Sequence, residues 1–521
     1  MAEFDLRRPL ADIYRHRAAA MPNAMAQVFD GRKTTYGELD RRASRVAQGL
    51  IAEGCRPDSR IGFMGKNSDL YFELLGGSLK AKNAIVGVNW RLAGPEAAYV
   101  LNDSKTEILF VGAEFYELVA SIRAEVPGLR KIIAMDGGHA DWPAFESWRD
   151  SFPDTDPSLE HAPDDDIIQL YTSGTTGHPK GVQLTNANYS SIAEQAAQSW
   201  ADWAPGSVNF VCMPLFHVAG VNVGVLGLLN GLENIVLKDV DPGEILRLIE
   251  AHRINIAFMV PAVILFLLHH PDIKKTDLSS LTQVLYGASP IAEDLLLEAQ
   301  KVFGCDFIQV YGLTETTGGA THLLPEDHAP ERGKLRSCGK PNPGVEIRTV
   351  DAEGTPTGVG EVGEIVMRSE CVMKGYWNRP EATAEASRDG WFYTGDAGYF
   401  DDEGFLYIHD RVKDMIVSGG ENVYPAEVEN ALFGHAAVAD VAVIGVPDEK
   451  WGEAVKAVVV RGPGSDVTAE DIISYAKTQI AGYKVPKSID FIEALPRNPT
   501  GKVLRRQLRE PYWKGRDRNV S

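Results

Sequence analysis

The sequence predicts an α/β protein, with a large N-terminal domain of helix-covered sheets that includes a small β-rich subdomain, followed by a small α+β C-terminal domain. Short apolar runs alternate with helix-like stretches over most of the chain, the pattern changes near residue 341, and it changes again after residue 410. A chain of 521 residues is also too long for one hydrophobic core, since chains beyond roughly 250–300 residues usually divide into domains.

The N-terminal part alternates between two kinds of segment. Mostly apolar runs predict strands at 61–64, 84–88, 108–111, 131–135 and 166–171, and longer stretches predict helices at 36–53 and 68–82. Strands that alternate with helices are typical of parallel sheets covered by helices. The apolar run 254–268 contains Asn255 and Pro261 and is too short for a membrane span, so it predicts a buried strand followed by a helix.

Two later parts differ from this pattern. Short runs punctuated by Gly and Asp predict strands at 344–348, 363–368 and 404–409, which form a β-rich subdomain at about 341–410. Helix-like segments at 425–433 and 469–480, with strands near 440–445 and 454–461, predict a separate α+β domain at 414–521. The N-terminal domain is therefore placed at 1–410 and the connection between the domains at 411–413.

Composition limits the function classes. The 52 basic and 72 acidic residues give a formal charge of 52 − 72 = −20, which argues against a nucleic-acid partner because that affinity comes largely from Lys and Arg. Five scattered cysteines without a C-x-x-C pair argue against a disulfide framework or a zinc ribbon. The first residues lack the apolar core of a signal peptide. We expect a cytoplasmic protein with no integral membrane span.

A loop rich in glycine and hydroxyl residues follows the strand predicted at 166–171. It reads Tyr-Thr-Ser-Gly-Thr-Thr-Gly-His-Pro-Lys-Gly, from Tyr171 to Gly181. The N–H and O–H groups of such a loop can converge on phosphate oxygens. It is not a Walker A loop, because Pro179 precedes Lys180 and no Ser or Thr follows it. The segment predicts a triphosphate-binding loop, and a surface turn is the alternative.

A second glycine-rich segment, 358–363, fits the spacing G-x-G-x-x-G of dinucleotide-binding loops. It precedes a strand, whereas the dinucleotide-binding loop joins a strand to a helix. The segment therefore predicts a β-turn.

Four further polar residues suit a nucleotide site. Glu315, on a loop after a predicted strand, suits Mg²⁺ beside phosphates, with a capping glutamate as the alternative. Asp396 can accept hydrogen bonds from ribose hydroxyls, and Arg411 can donate to the sugar or to phosphate, although a surface turn or salt bridge explains either residue as well. Lys502 follows two prolines and a glycine that stiffen its loop, and a solvated lysine is the alternative.

Taken together, these motifs resemble those of the adenylate-forming superfamily, which includes acyl-CoA synthetases, the adenylation domains of peptide synthetases and beetle luciferases. The motifs occur in family order from Thr35 to Lys502. The resemblance implies two half-reactions, in which a carboxylate attacks the α-phosphate of ATP and a thiol then displaces AMP. It implies ATP, Mg²⁺, coenzyme A and a small carboxylic acid as ligands, and it leaves a homodimer open.

The resemblance also assigns roles to individual residues. It places the phosphates on Thr172, Ser173, Gly174, Thr175, Thr176, Gly177 and Lys180, with Thr314 at the α-phosphate. It places adenine beside Gly287, Ala288 and Tyr311, the ribose on Asp396 and Arg411, and Mg²⁺ on Glu315. Lys502 bridges the attacking carboxylate and the α-phosphate, where fixed positive charge offsets the repulsion of two anions.

The family's C-terminal domain is mobile and turns between the half-reactions. The residue of this chain that aligns with its hinge is Lys413. The turn withdraws Lys502 and brings Gly419 and Gly420 to the active site, where the absence of side chains lets pantetheine pass close to the backbone.

The resemblance also assigns residues to the site of the acyl group. His217 aligns with a gate beside the acyl carboxylate, and a structural histidine is the alternative. The acyl pocket is assigned to Val218, Val221, Asn222 and Gly312. Residues 218–229 are mostly apolar, which favours an apolar tail and disfavours a dicarboxylate. Val218 and Ala219 offer no charge for an amino group, so amino acids are also disfavoured. We expect a medium- or long-chain fatty acid, with aryl or cinnamoyl acids as the alternative.

The acceptor is predicted from the chain's extent. Only 521 − 502 = 19 residues follow Lys502, which leaves no room for a fused carrier domain and favours free CoA. A stand-alone enzyme that loads a separate carrier protein is the alternative, and light-producing oxidation is disfavoured. A non-catalytic nucleotide-binding regulator would be a different class, but the joint presence of Lys180, Glu315, Asp396, Arg411 and Lys502 argues against it.

Overall fold

The mostly apolar runs that the sequence predicts as strands are buried in the structure. In the computed structural model, the runs Arg60–Met64 and Ala84–Gly87 are buried at every residue, as expected for parallel strands covered on both faces. The structure describes residues 6–172, 179–200, 203–411, 414–418, 421–448, 451–497 and 503–514. None of the helices in these ranges is both long and apolar enough to cross a bilayer.

Several helices of the described residues begin at a residue whose side chain caps the helix. Helix Tyr36–Ala52, for example, starts at Thr35, whose hydroxyl accepts from the Glu38 N–H while Glu38 accepts from the Thr35 N–H. The helices are α1 (Leu10–Ala20), α2 (Tyr36–Ala52), α3 (Asp69–Lys80), α4 (Gly94–Asp103), α5 (Tyr116–Ile122), α6 (Phe145–Asp150), α7 (Asn186–Ser199), α8 (Val218–Asn230), α9 (Pro242–His252), α10 (Pro261–Leu268), α11 (Glu293–Phe303), α12 (Pro380–Ala386), α13 (Pro425–Phe433), α14 (Ala469–Gln479) and α15 (Arg505–Trp513).

The strands follow the same chain order. They are β1 (Met25–Phe29), β2 (Arg32–Thr35), β3 (Arg60–Met64), β4 (Ala84–Gly87), β5 (Thr106–Val111), β6 (Lys131–Ala134), β7 (Asp166–Thr172), β8 (Lys180–Thr185), β9 (Val208–Val211), β10 (Glu233–Val236), β11 (Ile256–Met259), β12 (Gln283–Gly287), β13 (Asp306–Tyr311), β14 (Thr321–Leu323), β15 (Lys340–Pro341), β16 (Glu346–Val350), β17 (Gly363–Arg368), β18 (Gly375–Tyr376), β19 (Ser387–Arg388), β20 (Trp391–Phe400), β21 (Leu406–Arg411), β22 (Ile416–Ser418), β23 (Glu421–Val423), β24 (Val438–Asp448), β25 (Gly452–Arg461) and β26 (Ser488–Phe491).

The chain divides into two compact units, of which the first comprises Met1–Glu346 and Arg368–Phe392. Within its described residues, one sheet runs β18-β8-β7-β4-β3-β5-β6 and another runs β15-β14-β13-β12-β11-β9-β10-β1-β2. The central strands of both sheets are parallel, and antiparallel strands such as β2, β8 and β14 lie at or near their edges. The predicted α/β class is confirmed, with mixed sheets in place of purely parallel ones.

The second unit comprises Ile347–Met367 and Tyr393–Ser521. It contains most of a sheet ordered β16-β17-β20, with β21 paired to β20, and a C-terminal sheet ordered β23-β22-β25-β24, with β26 paired to β25. Apolar side chains of α13 and α14, such as Val428 and Ile472, pack with Val443 and Val455 in a buried cluster. The predicted domain limits and the hinge at 411–413 stay predictions, since residues 412 and 413 lie outside the described ranges.

Local predictions agree with the structure at several points. The run 254–268 forms β11 and then α10, and the predicted helix 425–433 is α13. The segment 358–363 forms a turn that leads into β17, in which the Gly358 N–H donates to the Glu361 carboxylate at 2.8 Å. It is therefore confirmed as a turn that does not join a strand to a helix.

A buried charge cluster supports the base of the β7–β8 hairpin. Arg60 and Asp166 form an ion pair in which each side chain is only 2% exposed. The Arg60 guanidinium also donates to Gln169 at 2.8 Å and lies 3.9 Å from the centroid of the Trp377 ring. Lys374 reaches the other Asp166 oxygen at 3.1 Å. A buried charge of this kind is stable only while it remains paired.

Replacing Asp166 tests this dependence. Asp166→Asn keeps the shape of the side chain but leaves Arg60 without its buried carboxylate partner, so we expect the free energy of unfolding to fall by about 3 kcal/mol or more. Asp58 pairs with the same guanidinium, but its side chain is 59% exposed, and Asp58→Asn is expected to cost less than about 1 kcal/mol. Urea unfolding followed by tryptophan fluorescence measures both, and equal losses would contradict the assigned burial cost.

Candidate active site

The β7–β8 hairpin holds both ends of the predicted phosphate loop. Thr172, the last residue of β7, pairs with Lys180, the first residue of β8, in antiparallel register. Residues 173–178 between them lie outside the described ranges. Two of the predicted phosphate-binding residues are therefore fixed opposite each other at the carboxyl end of β7.

Hydrogen bonds hold the end of β7 to helix α4. The Tyr171 hydroxyl donates to the Asp103 carboxylate at 2.9 Å, and Arg379 pairs with the same carboxylate at 2.5 Å. Burial, with a further contribution from Asp103, raises the pKa of Tyr171 well above its ordinary value. The hydroxyl therefore stays protonated and remains a donor.

Glu315 lies directly beyond β13, in the short turn Thr314–Thr316. It is 8% exposed. Its Oε1 atom accepts hydrogen bonds from the Thr172 hydroxyl at 3.2 Å and from the Tyr376 hydroxyl at 3.0 Å. The structure thus brings the predicted Mg²⁺ ligand into contact with the predicted phosphate loop, and it places Thr314 in the same turn.

The surroundings of Glu315 fit a Mg²⁺ ion that is bound together with substrate. Across the described ranges, His, Cys, Asp and Glu form no group of three or more that could cage a metal ion. Mg²⁺ usually takes one or two carboxylates and draws its other ligands from water and substrate phosphates. An ionised carboxylate offers about four acceptor positions, so two hydroxyl donors leave Glu315 with capacity for a cation.

The ends of β12 and β13 bring together the residues predicted for adenine. These parallel strands pair Gly287 with Val310, and a Cβ atom at Gly287 would stand 2.1 Å from the Val310 carbonyl oxygen, so only glycine fits there. Ala288 follows with φ of +66°, a backbone conformation that non-glycine residues seldom adopt. Tyr311 and Gly312 occupy the equivalent end of β13.

A largely apolar cavity lies beside these strand ends. Of the predicted acyl-pocket residues, Val218, Asn222 and Gly312 line it. Val221 lies in α8, as do Val218 and Asn222, but it is completely buried and does not line the cavity. Ala288, predicted for adenine, also lines it, so the predicted adenine and acyl sites adjoin.

The polar group of Asn222 is engaged by the protein. Its side-chain N–H donates to the Thr317 carbonyl oxygen at 2.7 Å, and its Oδ1 accepts from the Tyr189 hydroxyl at 2.8 Å. Burial raises the pKa of Tyr189 well above its ordinary value, which keeps that hydroxyl a donor. Asn222 therefore connects helix α8 to the turn that carries Glu315.

His217 is the N-cap residue of α8 and directly precedes Val218. Its ring lies 4.4 Å, centroid to centroid, from that of Phe216. The predicted gate residue is thus adjacent in the chain to a residue that lines the cavity.

In the second unit, the two predicted ribose residues lie on neighbouring strands. Asp396 in β20 pairs with Arg411 in β21. Asp396 is buried, and its N–H donates to the Thr394 hydroxyl at 3.1 Å. The backbone register therefore places the predicted carboxylate and guanidinium residues side by side.

The remaining predicted residues lie outside the described ranges and stay predictions. They are Ser173, Gly174, Thr175, Thr176, Gly177, Lys413, Gly419, Gly420 and Lys502.

Sequence reasoning missed several residues that the structure places at the site. Tyr376 contacts Glu315 directly, and Trp200, Trp203 and Phe258 line the cavity. Tyr376 stands in the run Gly-Tyr-Trp, which carries no recognisable ligand spacing. Phe258 belongs to a strand whose apolar pattern signals only burial.

Comparisons with known proteins agree with this architecture. A family model described as AMP-binding enzyme matches residues 14–377, and one described as AMP-binding enzyme C-terminal domain matches residues 427–502. A fatty acid–acyl-carrier-protein ligase from Streptomyces coeruleorubidus is 40% identical, covering 96% of each chain. A feruloyl-CoA synthase from an Amycolatopsis species is 39% identical, covering 95% of this chain and 97% of the relative.

Solved structures agree as well. A Mycobacterium tuberculosis fatty acyl CoA synthetase is similar with a TM-score of 0.79 and 35% identity, covering 98% of this chain and 99% of that one. An anthranilate CoA ligase in complex with anthranoyl-AMP gives a TM-score of 0.89 at 27% identity, covering 98% of each chain. With the family predicted from the motifs thus confirmed, the chain belongs to the AMP-binding enzyme family and is an AMP-forming ligase of the acyl-CoA synthetase type.

Proposed function

We propose that the protein activates an apolar monocarboxylic acid of the medium- or long-chain fatty acid class and transfers the acyl group to CoA. The observation that carries this proposal is the apolar cavity beside the strand ends that lead to Glu315, since Gly312 lines the cavity and Glu315 follows three residues later. A hydrocarbon tail in the cavity would leave its carboxylate close to the phosphates.

The first half-reaction joins two anions. A carboxylate oxygen forms a bond to the α-phosphorus, and the bond to the pyrophosphate oxygen breaks. In the proposed roles, Thr172 and Lys180 hold the terminal phosphates, Thr314 holds the α-phosphate, and Glu315 ligates Mg²⁺. When bound, Mg²⁺ neutralises part of the phosphate charge. We assign Lys502 to bridge the two reacting groups, where positive charge stabilises the transition state.

The second half-reaction uses a thiol. The thiolate sulfur forms a bond to the acyl carbon, and the bond to AMP breaks, giving the thioester. We assign Lys413 as the hinge for the domain turn between the steps, and Gly419 and Gly420 as the residues that pantetheine passes. Asp396 and Arg411 hold the ribose, and His217 lies beside the acyl carboxylate.

An aryl or cinnamoyl acid is the second candidate substrate. Three aromatic side chains, Trp200, Trp203 and Phe258, line the cavity and would suit a flat ring. The relative named feruloyl-CoA synthase supports the same alternative. For the acceptor, the relative named as an acyl-carrier-protein ligase keeps a separate carrier protein as the alternative to CoA.

The residue substitution that best tests the mechanism is Lys502→Ala. We expect acyl-adenylate formation, measured by pyrophosphate exchange, to fall by about 100-fold to 1000-fold because a charge at the reacting centre is lost. Thiolysis of supplied acyl-adenylate should change far less, since that step has no phosphate–carboxylate repulsion to offset. Equal losses in both half-reactions would contradict the assigned role of Lys502.

A matched substrate panel tests the acyl site. We expect kcat/KM for a ten-carbon dicarboxylic acid to be at least about 100-fold lower than for the ten-carbon fatty acid, because an unpaired charge in an apolar cavity costs several kcal/mol. The monomethyl ester of the same dicarboxylic acid keeps the length without the charge and should recover most of the activity. A dicarboxylate turned over as fast as its ester would rule out this cavity as the acyl site.

The same assay distinguishes the remaining alternatives. Cinnamate and ferulate included in the panel separate aryl acids from fatty acids. Offering CoA or a phosphopantetheinylated carrier protein as acceptor separates the two thiols. Absence of acid-dependent pyrophosphate exchange with every acid would instead support a non-catalytic nucleotide-binding protein.

A further inference from the structure

We propose that Tyr376 is a positioning residue that contacts both the Glu315 carboxylate and the Lys180 ammonium and prevents a direct ion pair between them. Glu315 then stays available to Mg²⁺, and Lys180 stays available to the nucleotide. The inference rests on the proposed function and adds a residue that no sequence motif assigned. Two different parts of one side chain, the hydroxyl and the ring, carry the two contacts.

The two contacts are direct. The Tyr376 hydroxyl donates to Glu315 Oε1 at 3.0 Å. The Lys180 Nζ atom lies 4.9 Å from the centroid of the Tyr376 ring, within the range of a cation–π interaction. A tyrosine can serve both groups at once because its face attracts a cation while its hydroxyl donates to an anion.

The backbone around Tyr376 is fixed to both groups that it contacts. Gly375 and Tyr376 form β18, which pairs antiparallel with β8, the strand that begins at Lys180. On the other side, the Met373 N–H donates to the carbonyl oxygen of Glu315 at 2.7 Å. The Tyr376 N–H donates to the Thr383 hydroxyl at 2.9 Å. The backbone that carries the ring is therefore held by hydrogen bonds to both elements.

Charge explains why such a spacer is useful. A lysine and a glutamate that both face one phosphate site attract each other, and a direct ion pair would engage both before ATP binds. Among the described residues, Lys180 and Glu315 form no ion pair with each other, and the Tyr376 side chain contacts both. The ring face holds the ammonium by a weaker interaction that phosphate oxygens can replace.

The hydroxyl and the ring can be removed separately. Tyr376→Phe removes the hydroxyl that donates to Glu315 and keeps the ring, and we expect the Mg²⁺ concentration for half-maximal adenylation to rise about tenfold, as for loss of a hydrogen bond to a charged group. Tyr376→Leu also removes the ring and should in addition raise the KM for ATP about fivefold. The KM for the acid and the rate of thiolysis of supplied acyl-adenylate should stay within about twofold of the values of the unmodified protein. Neither quantity depends on the part of the site that holds the terminal phosphates of ATP.

The matched control is Tyr116→Phe, which deletes a hydroxyl that donates to the Asp136 carbonyl oxygen far from these contacts in the chain. We expect its Mg²⁺ requirement and its KM for ATP to equal those of the unmodified protein. The Mg²⁺ requirement of Glu315→Gln is measured for comparison with that of the double variant Glu315→Gln with Tyr376→Phe. The double variant should need no more Mg²⁺ than Glu315→Gln alone, since the two residues act through one contact.

Three results would overturn the inference. These are an unchanged Mg²⁺ requirement in Tyr376→Phe, equal losses of adenylation and thiolysis, and additive effects in the double variant. If Tyr376→Leu fails to fold in a thermal melt, the Mg²⁺ titration of the isosteric Tyr376→Phe still decides. Failure of the proposed function looks different, because the unmodified protein would then show no acid-dependent pyrophosphate exchange.

Discussion

The hydrogen bond from the Thr172 hydroxyl to the Glu315 carboxylate joins the two sheets of the first unit at the carboxyl ends of their strands. Thr172 ends β7 of one sheet, and Glu315 follows β13 of the other. Parallel strands present their carboxyl ends at one edge, so each sheet contributes one loop with suitable polar groups. Neither sheet alone could place the predicted phosphate loop against a carboxylate.

The junction is supported by polar side chains that pair with one another or with the backbone. Arg60 and Asp166 stabilise the base of β7, Asp103 holds Tyr171 near its end, and Asn222 ties helix α8 to the turn after Glu315. Such networks are costly when they lose a member, which makes the arrangement rigid. Rigidity matters here because preorganised charge stabilises a transition state without a cost of reorganisation during the reaction.

Sequence reasoning could predict many of the strands, helices such as α2, α3, α13 and α14, and the polar residues near them, because periodicity and loop composition are local properties. It could not predict that β8 pairs antiparallel beside β7, nor that β18 would return from nearly 200 residues away to pair with β8, since such pairing is set by tertiary contacts. Tyr376 was missed for that reason. Phe258 and Leu285 were missed because a strand residue that lines a cavity has the same apolar pattern as one in the core.

Local sequence patterns were also insufficient to predict which groups of the acyl pocket are free to contact the substrate. Sequence reasoning assigned Asn222, the polar residue of the mostly apolar segment 218–229, to the acyl pocket, yet Thr317 and Tyr189 already engage its amide. Selection among acids then depends on shape and on the cost of burying charge, and a hydrophobic pocket discriminates weakly between acids that differ by one methylene. Strong discrimination is expected only where the acid carries an additional charge, since an apolar lining offers a second carboxylate no partner.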